Sequence, residues 1–281
     1  MIRSTLIIIS LLLSCSVLAQ SRIVSIGPTT TELLQALGET PQLIAVDDQS
    51  KLPGQMKLPR VGYLRALSAE GLLSLNPTRL IGTAEMGPDH TLKLVQSSGV
   101  KVTTLDAAPT VQALQSNIRL LAKALDRPQQ GQALSQRVAT LVEQLEHSPT
   151  APRKRTLFLL LLGESGLKVA GDHSSANTLI QLAGGANPAS DLDGYKPASM
   201  EALVKMKPEV LLIGNHNWQQ LGGTRGLVNA FPMLAATPAY TKRQIYPIDD
   251  NALLGGVGLT TLEQAKELRE KLYPGMTQRH G

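Results

Sequence analysis

The amino-acid sequence predicts an α/β protein of two lobes, each a mostly parallel sheet flanked by helices, joined by one long linker helix. Three observations lead there. Short β-branched runs alternate with amphipathic stretches in both halves, two apolar stripes at helical spacing lie between the halves, and a segment of the first half recurs in the second.

Residues 1–19 read as an export signal. Arg3 precedes the apolar run Leu6-Ile7-Ile8-Ile9 that continues to Leu13, and Val17-Leu18-Ala19 offers a small-residue site for cleavage after Ala19. The run is shorter than the about 20 residues a membrane span needs, so export with release of the mature chain is expected rather than anchoring. Cys15, the one cysteine of the chain, sits in Leu12-Leu13-Ser14-Cys15, loosely like a lipoprotein box, but Leu13 is unusual there and the cut after Ala19 is preferred. A mature chain without cysteine has no disulfide, thiolate catalysis or cysteine-held metal.

In the first lobe, 20–127, residues 22–26 form a short strand stopped by Gly27-Pro28, and 30–37 a helix ended by Gly38. Strands at 42–46, 78–81 and 101–105 then alternate with helices at 69–75 and 90–97. Val111, Leu114, Ile118, Leu121 and Leu125 make one helical stripe, and Leu134, Val138, Leu141 and Leu145 another, with Asp126 and Pro128 suited to start the second. A helix from 128 to 147 is about 30 Å long at 1.5 Å per residue and makes a rigid linker within 128–152. The second lobe, 153–281, resumes after the proline-bearing, basic break with a strand at 156–162.

The second half echoes the first. Residues 62–77 line up with 194–208 once one position is dropped before Glu201, and each copy leads into an apolar strand ending in Ile-Gly. Residues 33–38 match 179–184, each a helix closing on glycine. Two similar lobes joined by a helix form a cleft, and ligand pockets favour such interfaces.

Composition narrows the function. With 42% apolar and only 3% aromatic residues, the cores are filled by Leu, Val, Ile and Ala, so every Tyr and Trp needs its own reason. Net charge is mild at +5, falling to +4 when Arg3 leaves with the signal, and the densest basic run is Arg153-Lys154-Arg155. Nucleic acid is therefore excluded as a partner, whereas an anionic small ligand fits. Gly163-Glu164-Ser165-Gly166 has the wrong spacing for a nucleophile elbow, and no phosphate-cradling Gly-x-x-x-x-Gly-Lys stretch occurs. The chain reads as a binding protein, not an enzyme.

Ligands in such folds sit at the carboxyl ends of strands, where the loops starting at Gly27, Val61, Thr83, Gly163 and Gly214 are expected. Tyr63 and Tyr195 hold matching places in the repeat. A lone loop tyrosine is usually a half-buried, hydrogen-bonded residue, but here an aromatic-poor chain places one at the same spot twice. Arg65 stands two residues from Tyr63, and a guanidinium beside a phenol favours the phenolate that ferric iron prefers; it reads equally as a solvated charge. His216 and Trp218 follow the strand at 210–213, where the indole is either core or a platform for a flat ring. Glu70 and Glu201 each open a helix, which the helix dipole alone explains.

The run Gly62-Tyr63-Leu64-Arg65-Ala66-Leu67-Ser68-Ala69-Glu70-Gly71 resembles the signature of periplasmic haemin-binding proteins of bacterial ABC haem importers, within the cluster that also holds vitamin B12 and ferric-siderophore binders. The likeness spans the mature chain, through Arg22 to Leu33, Leu182-Ala183-Gly184-Gly185-Ala186-Asn187 and Gly222-Gly223-Thr224-Arg225-Gly226-Leu227. It implies a helical-backbone periplasmic solute-binding protein that takes haem as transported ligand, with Tyr63 as the iron ligand and Arg65 bonded to its phenolate. Tyr195, His216 and Trp218 are the further positions expected around the haem. The resemblance also implies a monomer that serves an inner-membrane permease dimer with its ATPase, one glutamate per lobe docking into arginine pockets, and symmetry selects Glu70 and Glu201. A corrinoid or ferric-siderophore carrier is the alternative. Two departures stand out: no histidine follows the first strand of the second lobe, His173 being the nearest, and residues 256–260 lack an arginine common in relatives.

Overall fold

The structure is a computed structural model that describes residues 21–146, 151–163 and 166–274. The expected export signal, with Cys15, lies outside the described residues. In the first lobe β1 (Ile23–Ile26), α1 (Pro28–Ala36), β2 (Leu43–Val46), α2 (Ala69–Ser74), β3 (Arg79–Thr83), α3 (Asp89–Ser97) and β4 (Lys101–Leu105) alternate. Their strands form a parallel sheet of order β2-β1-β3-β4. Proline at the first helical position starts α1 two residues earlier than expected, since its missing N–H costs nothing there.

Two helices, α4 (Val111–Ala124) and α5 (Pro128–Glu146), lead to the second lobe. It contains β5 (Thr156–Leu161), β6 (Leu167–Ala170), α6 (Ser175–Leu182), β7 (Tyr195–Pro197), α7 (Met200–Lys205) and β8 (Val210–Gly214). Then come α8 (Asn215–Leu221), α9 (Gly223–Ala230), α10 (Pro238–Thr241), β9 (Ile245–Ile248) and α11 (Leu259–Leu272). The sheet order is β7-β6-β5-β8-β9.

The second lobe departs from strict alternation of strand and helix. β5 and β6 form an antiparallel hairpin, and β7 runs antiparallel to β6. Leu162 N–H donates to Gly166 O at 2.9 Å and Gly166 N–H to Gly163 O at 3.2 Å, with both glycines at positive φ, so the chain reverses where the sequence pattern suggests only a loop. β6 thus takes beside β5 the place that β2 takes beside β1.

A single buried cluster joins the lobes, running from Ile23, Leu33 and Leu34 through Leu114, Ile118, Leu134 and Val138 to Phe158, Leu179 and Leu262. The helical stripes of α4 and α5 read from sequence are its middle. At their crossing Gly131 lies so close to Ala122 that a Cβ would collide with the alanine methyl. Separate clusters cover the outer faces, one around Val24, Leu64, Leu72 and Leu80, the other around Leu157, Leu159, Leu203 and Leu211. Alternation along β5 explains the split, since successive strand residues face opposite sides.

The sequence repeat survives at its helices. Ser68 accepts from Gly71 N–H at 3.3 Å to cap α2, and Ser199 accepts from Ala202 N–H at 3.2 Å to cap α7. At the other ends, Arg22 donates to the carbonyls of Leu75 and Asn76, and Arg155 to that of Met206, satisfying orphan acceptors where a cation is favoured. No helix among the described residues is long and apolar enough to cross a membrane.

Candidate ligand-binding site

The carboxyl edges of the two sheets meet around residues 249–258. Lys51 Nζ pairs with Asp249 Oδ2 at 2.5 Å, Thr29 Oγ1 donates to Leu254 O at 2.8 Å, and Gly255 lies against Thr83 and Thr29. These contacts link the start of α1, the loop after β2 and the end of β3 to the segment after β9. In each sheet the strand order reverses direction at that edge, beside β1 and beside β5, which is where such folds open a crevice.

Tyr63 stands on the loop after β2. Val61 N–H donates to Val46 O at 3.0 Å and Asp48 N–H to Gly62 O at 3.1 Å, and Gly62 has φ 88, a conformation a side chain would strain. A turn follows, closed by Ala66 N–H on Tyr63 O at 2.8 Å. Leu64 and Leu67 are buried beside Met86, and Leu67 N–H to Gly87 O and Gly87 N–H to Leu64 O, both 2.9 Å, fasten the turn to the loop after β3. With those leucines plugged inward, Tyr63 is left 47% exposed and Arg65 points outward as well. Burial of two apolar side chains, each worth about 1.5–3 kcal/mol, thus fixes where a phenol is presented.

Arg65 has a partner that sequence reasoning missed: its Nη2 lies 2.5 Å from Glu85 Oε1, on the loop after β3. The two residues are 20 apart in the chain and come together only because their loops are tied at Leu64 and Gly87.

Tyr195 departs from the role expected of it. In β7 it pairs with Ala170 of β6, level with Phe158, about three residues or 10 Å below the carboxyl end of β5. Its ring meets Phe158 edge-on, with centroids 6.3 Å apart, and burial pushes its phenol up to about 12 although it bonds the Ala176 backbone. The β5–β6 hairpin is the reason: it reverses the chain before β7, so the sequence match with Tyr63 is not a spatial one. Tyr195 is half-buried and packs against the cluster that joins the lobes, at mid-sheet instead of on the carboxyl edge where Tyr63 stands.

His216 does lie beyond the carboxyl end of β8, exposed on α8, with its N–H donating to Asp250 Oδ2 at 2.8 Å. Trp218, a candidate stacking platform, is half-buried against Gly223 and packs on the outer core of the second lobe. The reason is that residues 215–221 are helical rather than a loop, which turns the indole back toward its own lobe. His173 is exposed, 3.0 Å from Asp193 through Nδ1, and that bond together with Asp172 raises its pKa.

Glu70 and Glu201 are exposed in the first turns of α2 and α7, at the second helical position after each serine cap. Bonds from its own backbone N–H and from Ser199 hold the Glu201 carboxyl below its usual range.

A further group tying the lobes went unnoticed in the sequence. Glu32 of α1 accepts from Leu259 N–H at 2.6 Å, Thr260 N–H at 3.0 Å and Thr260 Oγ1 at 2.6 Å, capping α11 from the opposite lobe. Burial pushes its carboxyl up to about 7, against the lowering effect of those bonds.

The family model described as periplasmic binding protein matches residues 23–252. The periplasmic haem-binding protein of Vibrio cholerae superposes with a TM-score of 0.86 at 42% identity, covering 91% of this chain and 100% of that one. A periplasmic haem-binding protein from Pseudomonas aeruginosa gives 0.79 at 34% identity, over 91% and 93%. The vitamin B12-binding protein of Vibrio campbellii is 26% identical over 215 residues, 76% of this chain and 78% of its own. With a sheet on either side of a shared helical core and most of its length matched, the chain belongs to the periplasmic binding protein family.

Proposed function

We propose that the protein is an exported, non-enzymatic solute-binding protein that captures haem between its lobes and passes it to an ABC permease with its ATPase. The observation that carries this reading is Tyr63, held outward on the carboxyl edge by buried Leu64 and Leu67, with Arg65 on the same turn. Similarity at 42% and 34% identity to proteins described as haem-binding supports it. So does the donor chemistry. Among the described residues no three His, Cys, Asp or Glu converge on a common point, yet a porphyrin brings four nitrogen donors of its own and asks the protein for as little as one axial oxygen.

In this reading Tyr63 supplies the phenolate oxygen and Arg65 favours its charged form, sharing its guanidinium with Glu85. His216 stands at the facing edge of the second lobe. The lobes are 20–127 and 153–281 around the linker 128–152, the export signal is cut after Ala19, and the mature protein acts as a periplasmic monomer. Glu70 and Glu201, alike in position and exposure, dock the two lobes on the permease dimer.

Titrating the purified mature protein with ferric haemin tests the reading. A high-spin ferric spectrum with a tyrosinate charge-transfer band is expected. The B12-binding relative motivates the second reading, a corrinoid carrier. Saturable cobalamin binding without any spectral change on haemin would establish that one instead.

A further inference from the structure

The basic run Arg153-Lys154-Arg155 plays no part in the site described above. It leads into β5, and β8 and β9 run parallel to β5 on its far side. The residues that precede these strands therefore gather at one edge: Arg155 before β5, Lys207 before β8, and Lys242 with Arg243 before β9. Lys205, in the last turn of α7, joins them two residues before Lys207. Arg153, Arg155, Lys205, Lys207, Lys242 and Arg243 are all exposed.

One carboxylate sits among them. Glu209 accepts from Arg155 N–H at 3.1 Å and from Lys242 Nζ at 3.3 Å. Its carboxyl is held below the usual range, first by the Arg155 backbone bond and then by the nearby charges of Lys242 and Lys154. Helix capping explains Arg155, whose guanidinium serves Met206 O. The helix end also accounts for Lys205, but Lys207 and Arg243 are left unexplained.

We propose that this amino edge of the second sheet is a cationic docking face for an anionic phospholipid surface. Three features favour a charged plane over a small anion or a shaped partner. The cations precede three neighbouring parallel strands, so their positions form a row along one edge of the sheet. Those that could clasp a single anion, Arg155 and Lys242, are engaged by Met206 and Glu209. What remains is a field from exposed lysines and arginines, and each such cation close to an anionic leaflet strengthens partition roughly fivefold. β8 has five residues, so the face lies about 16 Å from the carboxyl edge that bears the candidate ligand site, and occupying one leaves the other open.

The experiment is co-sedimentation of the mature protein with vesicles of one-third phosphatidylglycerol in phosphatidylcholine, beside vesicles of phosphatidylcholine alone. Binding to the anionic vesicles only, at about 20 mM salt and abolished at about 500 mM, is the expected result, because screening removes a field but not a buried contact. The triple variant Lys205→Glu, Lys207→Glu, Arg243→Glu should bind about 100-fold more weakly or worse, with the three glutamine counterparts between it and wild type. Its haemin titration should match that of wild type, since none of the three residues is near Tyr63. Absence of wild-type binding, equal binding by the triple variant, or binding that survives high salt overturns the proposal. Capture by poly-glutamate without capture by vesicles also overturns it and assigns the face to an acidic protein.

Discussion

Glu32 ties α1 of one lobe to the amino end of α11 in the other, and replacing it with glutamine should change how stability depends on pH. Its carboxyl stands at about 7 in the folded protein against an ordinary value of 4.5, with burial as the main cause. Between those values the native state holds a proton that the unfolded chain has released, so stability falls as pH rises through that window and levels off above about 7. At 1.36 kcal/mol per pH unit, the loss attributable to this residue between pH 4.5 and pH 8 is about 3 kcal/mol. Glu32→Gln cannot ionise, but its amide presents a donor where Thr260 N–H and Oγ1 also donate, a cost of about 1 kcal/mol at every pH. The variant should therefore be slightly less stable than wild type at pH 5 and more stable at pH 8. Urea unfolding of both proteins at the two pH values measures the change in their difference, which cancels every other titrating group. Profiles that run parallel from pH 5 to pH 8 would refute the assignment of a raised carboxyl to this inter-lobe cap.

Tyr63→Ala should abolish the tyrosinate band on haemin addition, and a surviving band would move the iron ligand elsewhere. Arg65→Ala should keep the band at neutral pH but lose it at a higher pH than wild type on acidification, because a cation favours the phenolate; superimposable titrations would make Arg65 a bystander. Glu70→Ala combined with Glu201→Ala should leave haemin binding intact while impairing haem-dependent transport through the cognate permease, and normal transport at equal expression would refute the docking role. Gly131→Leu forces a side chain into the α4–α5 crossing against Ala122 and should cost about 1–3 kcal/mol, read as a lower urea midpoint; an unchanged midpoint would show that the helices can part there.

Legibility in the sequence tracked the range of the interactions involved. The stripes of α4 and α5, the glycine stop after α1 and the serine-capped starts of α2 and α7 are encoded within a few residues, and these stand where the spacing places them. The hairpin at residues 162–166 went unread because a polar, glycine-bearing stretch after a strand looks the same whether the chain crosses over through a helix or turns straight back. That one ambiguity carried through to Tyr195: its match with Tyr63 is real as sequence, while the reversed strand direction sets it at mid-sheet against Phe158. Trp218 moved inward for a similar reason, since a short helix replaced the expected loop.

By itself, then, the sequence determined the α/β class, the two-lobe repeat, the long connecting helix and the loop that carries Tyr63, all of which follow from periodicity, caps and turn residues a few positions apart. The tertiary structure alone decided which distant groups meet. Arg65 finds Glu85 across 20 residues, Glu32 caps α11 across more than 220, and strand pairing lines up the cations before β5, β8 and β9 along one edge. No local pattern announces such partners, because a side chain's hydrogen-bond and charge partners are chosen by how sheets and helices pack, and packing brings together residues whose separation along the chain carries no signal.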